Sequence, residues 1–434
     1  FIFRKMVLDK IFNSTFSTYV FTGFLLFLYF LYCYIVRPLN RVRKLGDLGF
    51  YFGKPEPDKE YSRMLIERMK KLRVLGDLPP VYPNGWFCIA ESRELEKKQI
   101  KPVIFMGQNL TLFRSESGKV HLMDAYCPHL GANFNVGGRV VDNNCVQCPF
   151  HGWVFSGITG KCTRIPYSTT DKIPSKASVN VWPTKEVNKH IYVWYHCDGL
   201  DPTYEIPVIS EVESGEWAYR GRTEHEIMCH IQEIPENGAD IAHLNYLHLV
   251  GVNEGNNITR IEMSKTEPLV KHIWEGTWTA GENDEKHIGT MLLKQFMTFA
   301  GFQIPLTYTN LKAEQIGPGI VFMRLDFGFL GKGIVFQSVT PEDTVNQRVR
   351  FAMFAKTTAA FAKFYLISEA NHFERDIYIW TNKKYLKNPL YCKDDGPIGK
   401  HRRWFSQFYS DNSPKLNKDG TLTNYPKSIN ANDW

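Results

Sequence analysis

Two short stretches of this sequence set a thiol beside an imidazole: Cys127-Pro128-His129 and, after a gap of eighteen residues, Cys148-Pro149-Phe150-His151. Together they offer four ligands to a metal site. Two thiolates and two imidazoles can close a tetrahedral shell around zinc. The surroundings argue for iron and sulfide instead. Zinc knuckles are polar, compact and self-contained, whereas each pair here lies in a loop punctuated by Pro and Gly at the end of a strand-like run. Cys145 forms a Cys-x-x-Cys with Cys148, but only Cys148 is followed by x-x-His, so Cys145 reads as a buried thiol near the site. His121, inside a β-prone run, reads as a strand residue.

A second constellation follows at Glu236, Asp240, His243 and His248. Asp240 and His243 are three apart and share a helical face. His243 and His248 are five apart, about 140° around an ideal helix. One metal can receive both only where the helix bends, ends or bulges between them. This is unlike the i, i+4 pair of a zinc protease. Two His with one carboxylate, leaving positions open, is the set that suits non-haem Fe(II) and O2. A lone His pair on a helix is usually structural; its presence beside the first motif gives it meaning.

The first motif resembles the [2Fe-2S] site of Rieske proteins, where two His replace two Cys on one iron and raise the potential. The eighteen-residue gap is at the long end for that family. Rieske proteins of respiratory bc complexes carry a further Cys in each loop, and the matching positions here are Ala132 and Phe150. That leaves the oxygenase and ferredoxin branch. With both motifs, the chain from about residue 80 onward resembles the α-subunit of Rieske non-haem iron oxygenases. The resemblance implies a [2Fe-2S] cluster on Cys127, His129, Cys148 and His151, and mononuclear Fe(II) on His243 and His248. It implies a third, acidic ligand far downstream. Asp376, in the run Glu374-Arg375-Asp376, fits, with Glu374 as the fallback and an exposed helix acid as the bland reading of Asp376. Asp240 matches the family's bridging carboxylate, expected to bond His243 and to reach His151 of a neighbouring subunit in a head-to-tail homotrimer.

The resemblance implies electrons from NAD(P)H through a reductase separate from this chain, in which no G-x-G-x-x-G fingerprint follows a strand. Three segments, 315–321, 337–341 and 402–409, resemble the sterol-acting group of the family. That group includes animal cholesterol 7-desaturases of the Neverland type and is similar to bacterial 3-ketosteroid 9α-hydroxylase oxygenase components. The implied reaction is desaturation of cholesterol at C7-C8 with O2, giving 7-dehydrocholesterol. Sterol hydroxylation and a membrane-tethered electron carrier stay open as alternatives.

The elements that must position these residues are legible in outline. After residue 80, runs 86–90, 103–106, 110–113 and 120–123 are β-prone and lead into the first loop; 139–141 leads toward the second, and 191–195 closes the set. Runs 320–326 and 348–354 alternate as sheet strands. The expected fold is α+β: an N-terminal transmembrane helix, an all-β Rieske domain, then a helix-grip, START-like catalytic domain with an antiparallel sheet. Expected boundaries are 1–45 for anchor and basic flank, 46–79 for a juxtamembrane linker, 80–200 for the Rieske domain and 201–434 for the catalytic domain. Phe296, Phe299, Phe302, Phe322 and Phe351 are candidates for cavity wall, with ordinary core as the rival role for each.

Residues 11–36 contain no charged side chain over 26 positions, roughly 39 Å as a helix and enough to cross a bilayer. A signal peptide has a shorter apolar stretch and a small-residue cleavage site; here Arg37-Pro38 follows, then Arg41, Arg43 and Lys44. Those bases, against Arg4, Lys5 and Lys10 with Asp9 before the span, favour a single-pass anchor of the endoplasmic reticulum with its body in the cytosol. Residues 54–76 read as a basic amphipathic stretch or a solvated linker helix. Nine cysteines, three of them at 127–148, do not suggest a disulfide framework. The net charge of +7 comes with no basic stripe interleaved with aromatics, which argues against nucleic acid. The chain starts at Phe1, so a native start upstream is expected.

Overall fold

The computed structural model describes residues 2–50, 58–170, 172–251, 255–261, 269–305 and 307–424, with backbone alone for 2–16 and 59. The side chains of Arg4, Lys5, Asp9 and Lys10, the linker residues 54–57 and the C-terminal 425–434 lie outside the described residues.

Between residues 85 and 195 the short alternating runs form three small sheets. One joins Ile100–Phe105, Gln108–Arg114, Val120–Asp124 and Val181–Trp182. A second joins Arg139–Val141, Cys145–Gln147, Val154–Ser156 and Cys162–Arg164, and a third joins Thr184–Val187, His190–Tyr195 and Gly85–Glu91.

The rest of the chain builds a nine-stranded sheet. Its order is Leu39–Arg43, Ala218–Met228, Asn346–Lys356, Lys332–Pro341, Ile320–Asp326, Thr309–Ile316, Ile288–Phe299 and Val270–Ala280, with Phe302–Gln303 folded back on Ile288–Phe299. All pairings are antiparallel except the first. The 24-residue helix Ala359–Asn382 packs across one face, and the third small sheet covers the other. Strand alternation sorts side chains between the faces. Val321 and Met323 face a cavity beneath the helix, whereas Phe322 joins Phe336, Phe354, Trp86 and Trp194 in the opposite core. Of the five candidate phenylalanines, only Phe351 lines that cavity; Phe299 and Phe302 are exposed at the sheet's end. Composition alone does not tell which side of the pleat a residue takes.

The basic flank is part of the folded body. The apolar helix ends at Arg37, held extended by the following proline, and Lys363 Nζ donates to the freed carbonyls of Cys33 (3.0 Å) and Tyr34 (2.9 Å). Leu39–Arg43 then adds to the large sheet as a parallel edge strand opposite Gly221–His225. Gly221, at φ +136, permits the approach, because a Cβ there would lie 2.5 Å from the Leu39 nitrogen. Within the expected linker, Lys59–Leu72 is a helix capped by Asp58, whose Ile66 is buried with Phe50 and Met228.

Candidate metal centres

The two cysteine loops are built alike. The Cys127 carbonyl accepts from Gly131 N–H at 2.9 Å, and the Cys148 carbonyl from Gly152 N–H at 3.1 Å. In return Cys127 N–H donates to Ala132 (2.9 Å) and Cys148 N–H to Trp153 (2.8 Å). Both glycines are left-handed, at φ +71 and +73, which explains why each motif runs Cys to Gly. The loops lie against each other. The rings of His129 and His151 meet edge-on at 4.7 Å, and His129 stacks on Trp153 at 4.6 Å. Burial, with Cys148 beside it, pushes the Cys127 thiol up to about 12, so thiolate there calls for a cation. His129 Nδ1 is buried without a hydrogen-bond partner, as an atom awaiting a metal bond would be.

These four donors do not converge on one point. Among the described residues, the sets with donor atoms all within 4.8 Å of one another are His243/His248/Asp376 and His196/Cys197/Asp198. One tetrahedral zinc would draw its donors within about 4 Å of each other. Two thiols and two imidazoles that share no such point among the described residues suit two irons instead. In the His196 set, Asp198 already accepts from Ser410 Oγ (2.8 Å) and Asn412 Nδ2 (2.7 Å), so it serves as a polar staple to the C-terminal segment. Cys145 is half-buried on its strand, and His121 is a strand residue bonded to Asn144 at 3.1 Å.

The second centre grows from a helix start. Asp240 caps Ile241–Leu247, its carboxylate accepting from His243 N–H at 3.1 Å. The His243 ring turns back so that Nδ1 faces the Asp240 carbonyl and, at 3.7 Å, Oδ2. Nε2 therefore looks onward to Asp376 Oδ1, 4.0 Å away. The helix stops at Leu247. His248, at φ −104 and ψ 6, lies past the last turn with Nε2 3.1 Å from the same oxygen. Metal bonds of about 2.0–2.2 Å hold neighbouring donors about 3–4 Å apart, so the trio fits one ion, and its composition matches the facial set of non-haem iron. Burial favours the neutral forms of both Asp240 and His243. Their mutual hydrogen bond outweighs it, holding the Asp240 carboxyl below its ordinary range and raising His243.

Asp376 sits on Ala359–Asn382, where successive residues step about 100° around the axis. Three neighbours consequently reach three parts of the molecule. Glu374, fully buried, pairs with Arg41 at 2.7 Å, His225 Nε2 at 3.1 Å and Asn256, so the fallback ligand faces the edge strand. Arg375, equally buried, donates to the carbonyls of Val250 (2.7 Å), Gly251 (3.0 Å), Gly255 (2.8 Å) and Leu247 (3.3 Å). It thereby satisfies the open end of the helix that carries His243. Asp376, buried, faces the imidazoles and is not the exposed acid of the bland reading.

Asp376 and both imidazoles form the wall of a cavity between helix and sheet. Its walls are mostly apolar, with Trp274, Met291, Leu293, Val321 and Met323 prominent. Helix positions 365, 369, 372, 373, 376 and 380 line it as one stripe. Burial, then the charges of His248 and its neighbours, keeps His372 and His272 neutral. Sequence reasoning gives Arg375, Glu369 and His372 no role, although counting back from Asp376 in threes and fours finds the last two.

A family model for the Rieske [2Fe-2S] domain matches residues 85–183, and one for the 3-ketosteroid 9alpha-hydroxylase C-terminal domain matches 193–409. Cholesterol 7-desaturase of Caenorhabditis elegans is 57% identical over 401 residues, 92% of this chain and 93% of that protein. Cholesterol 7-desaturase nvd of Xenopus laevis is 43% identical, covering 88% and 83%. Among solved structures, NdmA of Pseudomonas putida CBB5 with caffeine shares the fold, at TM-score 0.57 and 16% identity over 74% of this chain and 89% of that one.

Proposed function

The chain belongs to the cholesterol 7-desaturases, a group of Rieske-type oxygenases, and from that premise we propose that His243, His248 and Asp376 hold the iron at which cholesterol loses one hydrogen from C7 and one from C8. With two electrons from NAD(P)H and two protons, O2 leaves as two waters, which balances the reaction. The carrying observation is that those three donors gather at the wall of an apolar cavity. When bound, a cluster on Cys127, His129, Cys148 and His151 supplies electrons and the iron supplies the oxidising chemistry. The chain's own residues do the positioning. Asp240 keeps the proton on His243 Nδ1 and so leaves Nε2 free as a ligand. Arg375 fixes the loop that presents His248. The apolar walls hold the tetracycle and exclude water.

Asp240 is partly exposed, with Tyr246 exposed on the same helix, while Leu130 and Phe150 stand exposed beside His129 and His151. This supports electron transfer between subunits of a homotrimer, fed by a separate reductase. Ser17–Val36 is long and apolar enough to cross a membrane, which supports a single-pass anchor, placed in our reading in the endoplasmic reticulum with the body in the cytosol. The domain division near residue 200 is supported by the sheets, since the small ones end at Tyr195 and the large one resumes at Ala218.

Sterol hydroxylation is the second reading, favoured by the family model over residues 193–409. Detergent-solubilised full chain, a reductase, NAD(P)H and cholesterol, with sterols read by mass spectrometry, separate the two. A product lighter by two hydrogens is expected; a product heavier by one oxygen overturns desaturation. His243→Ala is expected to abolish turnover and remove the mononuclear iron while the Rieske EPR signal persists.

A further inference from the structure

The cavity holds an ionisable side chain that the iron site does not use. Glu369 stands two turns before Asp376 on the lining face of Ala359–Asn382, roughly 10.5 Å along the axis. Among the described residues its carboxyl has no hydrogen-bond partner. Burial, followed by the charge of Asp376, pushes it up to about 7, so a neutral carboxyl is accessible there. Polar groups drawn away from water without a partner are unfavourable, and half-buried Glu369 lines the cavity, where a molecule that fills it meets the carboxyl. Two of the other polar walls are engaged, whereas His372 Nε2 and Trp274 Nε1 on the same lining are buried without a hydrogen-bond partner. Gln315 accepts from His401 at 3.1 Å and donates to the Gly317 carbonyl at 3.2 Å, and Gln295 bonds His272. Gln337, on the facing strand Lys332–Pro341, is a rival beside them.

We propose that Glu369 receives the 3-hydroxyl of the sterol and thereby selects 3-hydroxysterols and sets which ring carbons lie over the iron site. The proposal rests on the sterol reading of this cavity. Cholesterol has a single polar group, at one end of a rigid ring system, and C7 and C8 lie in the neighbouring ring. Tethering the hydroxyl two turns from Asp376 carries that second ring toward the metal ligands. A protonated carboxyl donates to and accepts from one hydroxyl, and a carboxamide can do the same. Phe351, Phe373, Val321 and Met323, on the same lining, offer the rings apolar contact.

The test compares cholesterol with cholest-5-ene, which lacks the hydroxyl, on detergent-solubilised full-length wild type, Glu369→Leu, Glu369→Gln and Gln337→Leu. Turnover is read by mass spectrometry, sterol binding by tryptophan quenching, and folding by iron content and the Rieske EPR signal. Glu369→Leu is expected to lower the preference for cholesterol in kcat/KM about tenfold, the worth of one hydrogen bond, chiefly through KM and with matching loss in binding. Glu369→Gln is expected to keep most of it. An unchanged preference in Glu369→Leu, or a collapse in Gln337→Leu instead, overturns the proposal. So does a Glu369→Gln variant that loses kcat with KM intact, which would mark a proton donor. A wild type that neither binds nor converts cholesterol defeats the sterol reading itself, and shows it before any variant is made.

Discussion

At the scale of single residues, orientation matters as much as identity. Asp240 uses one side chain twice, capping a helix through the His243 N–H and facing the His243 ring. Asn is an equally good cap, so Asp240→Asn separates the two uses. It preserves the helix but removes the charge that favours a proton on Nδ1. Because such outer partners typically matter 10–100-fold, kcat is expected to fall by about that factor with both metals retained by elemental analysis. Normal turnover in that variant would sink the bridging role.

At the scale of elements, the helix Ala359–Asn382 joins three parts of the molecule through three consecutive residues. Glu374 ties it to the edge strand that follows the apolar helix, Arg375 to the loop after His248, and Asp376 to the imidazoles. Removing Glu374 strands Arg41 in a site only 20% exposed. Breaking a buried pair from one side typically costs about 3–5 kcal/mol. Glu374→Ala is therefore expected to lower the melting temperature of the full chain markedly and to weaken iron retention, since Asp376 lies two residues on. A melting curve equal to wild type would show the edge strand to be decoration.

At the scale of the whole molecule, the small sheets and the large one are joined by charge as well as by the apolar core. Arg222 reaches Glu91 at 3.0 Å, and Arg350 reaches Glu94 at 3.4 Å and Glu224 at 2.7 Å. Burial alone would raise both Glu94 and Glu224. Arg350 above all reverses this, holding both carboxyls below their ordinary range. A depressed carboxyl stabilises the fold above its unfolded value and loses that contribution as pH falls through the folded one. Thermal stability is thus expected to drop as pH falls below about 4.3, and Glu94→Gln to flatten that dependence. A wild-type melting temperature indifferent to acid there would remove the network from the interface.

The Cys/His quartet, the His243/His248 pair and the apolar run were legible because ligand chemistry and bilayer thickness restrict residue type and spacing locally. Gly131 and Gly152 belong with them, since a left-handed turn selects glycine from the local backbone alone. Asp376 was reachable only through resemblance, because its separation of 128 positions from His248 leaves no periodic signal. Which acid faces the imidazoles was decided by the helix's rotation against the sheet, which turned Glu374 to Arg41 and Asp376 to the cavity. The same rotation brought Glu369 into the cavity, and strand parity kept Phe322 out. Sequence thus determined which chemistry the chain carries. Tertiary packing decided which side chains share a space, because contacts between distant segments depend on faces that only the assembled sheet and helix define.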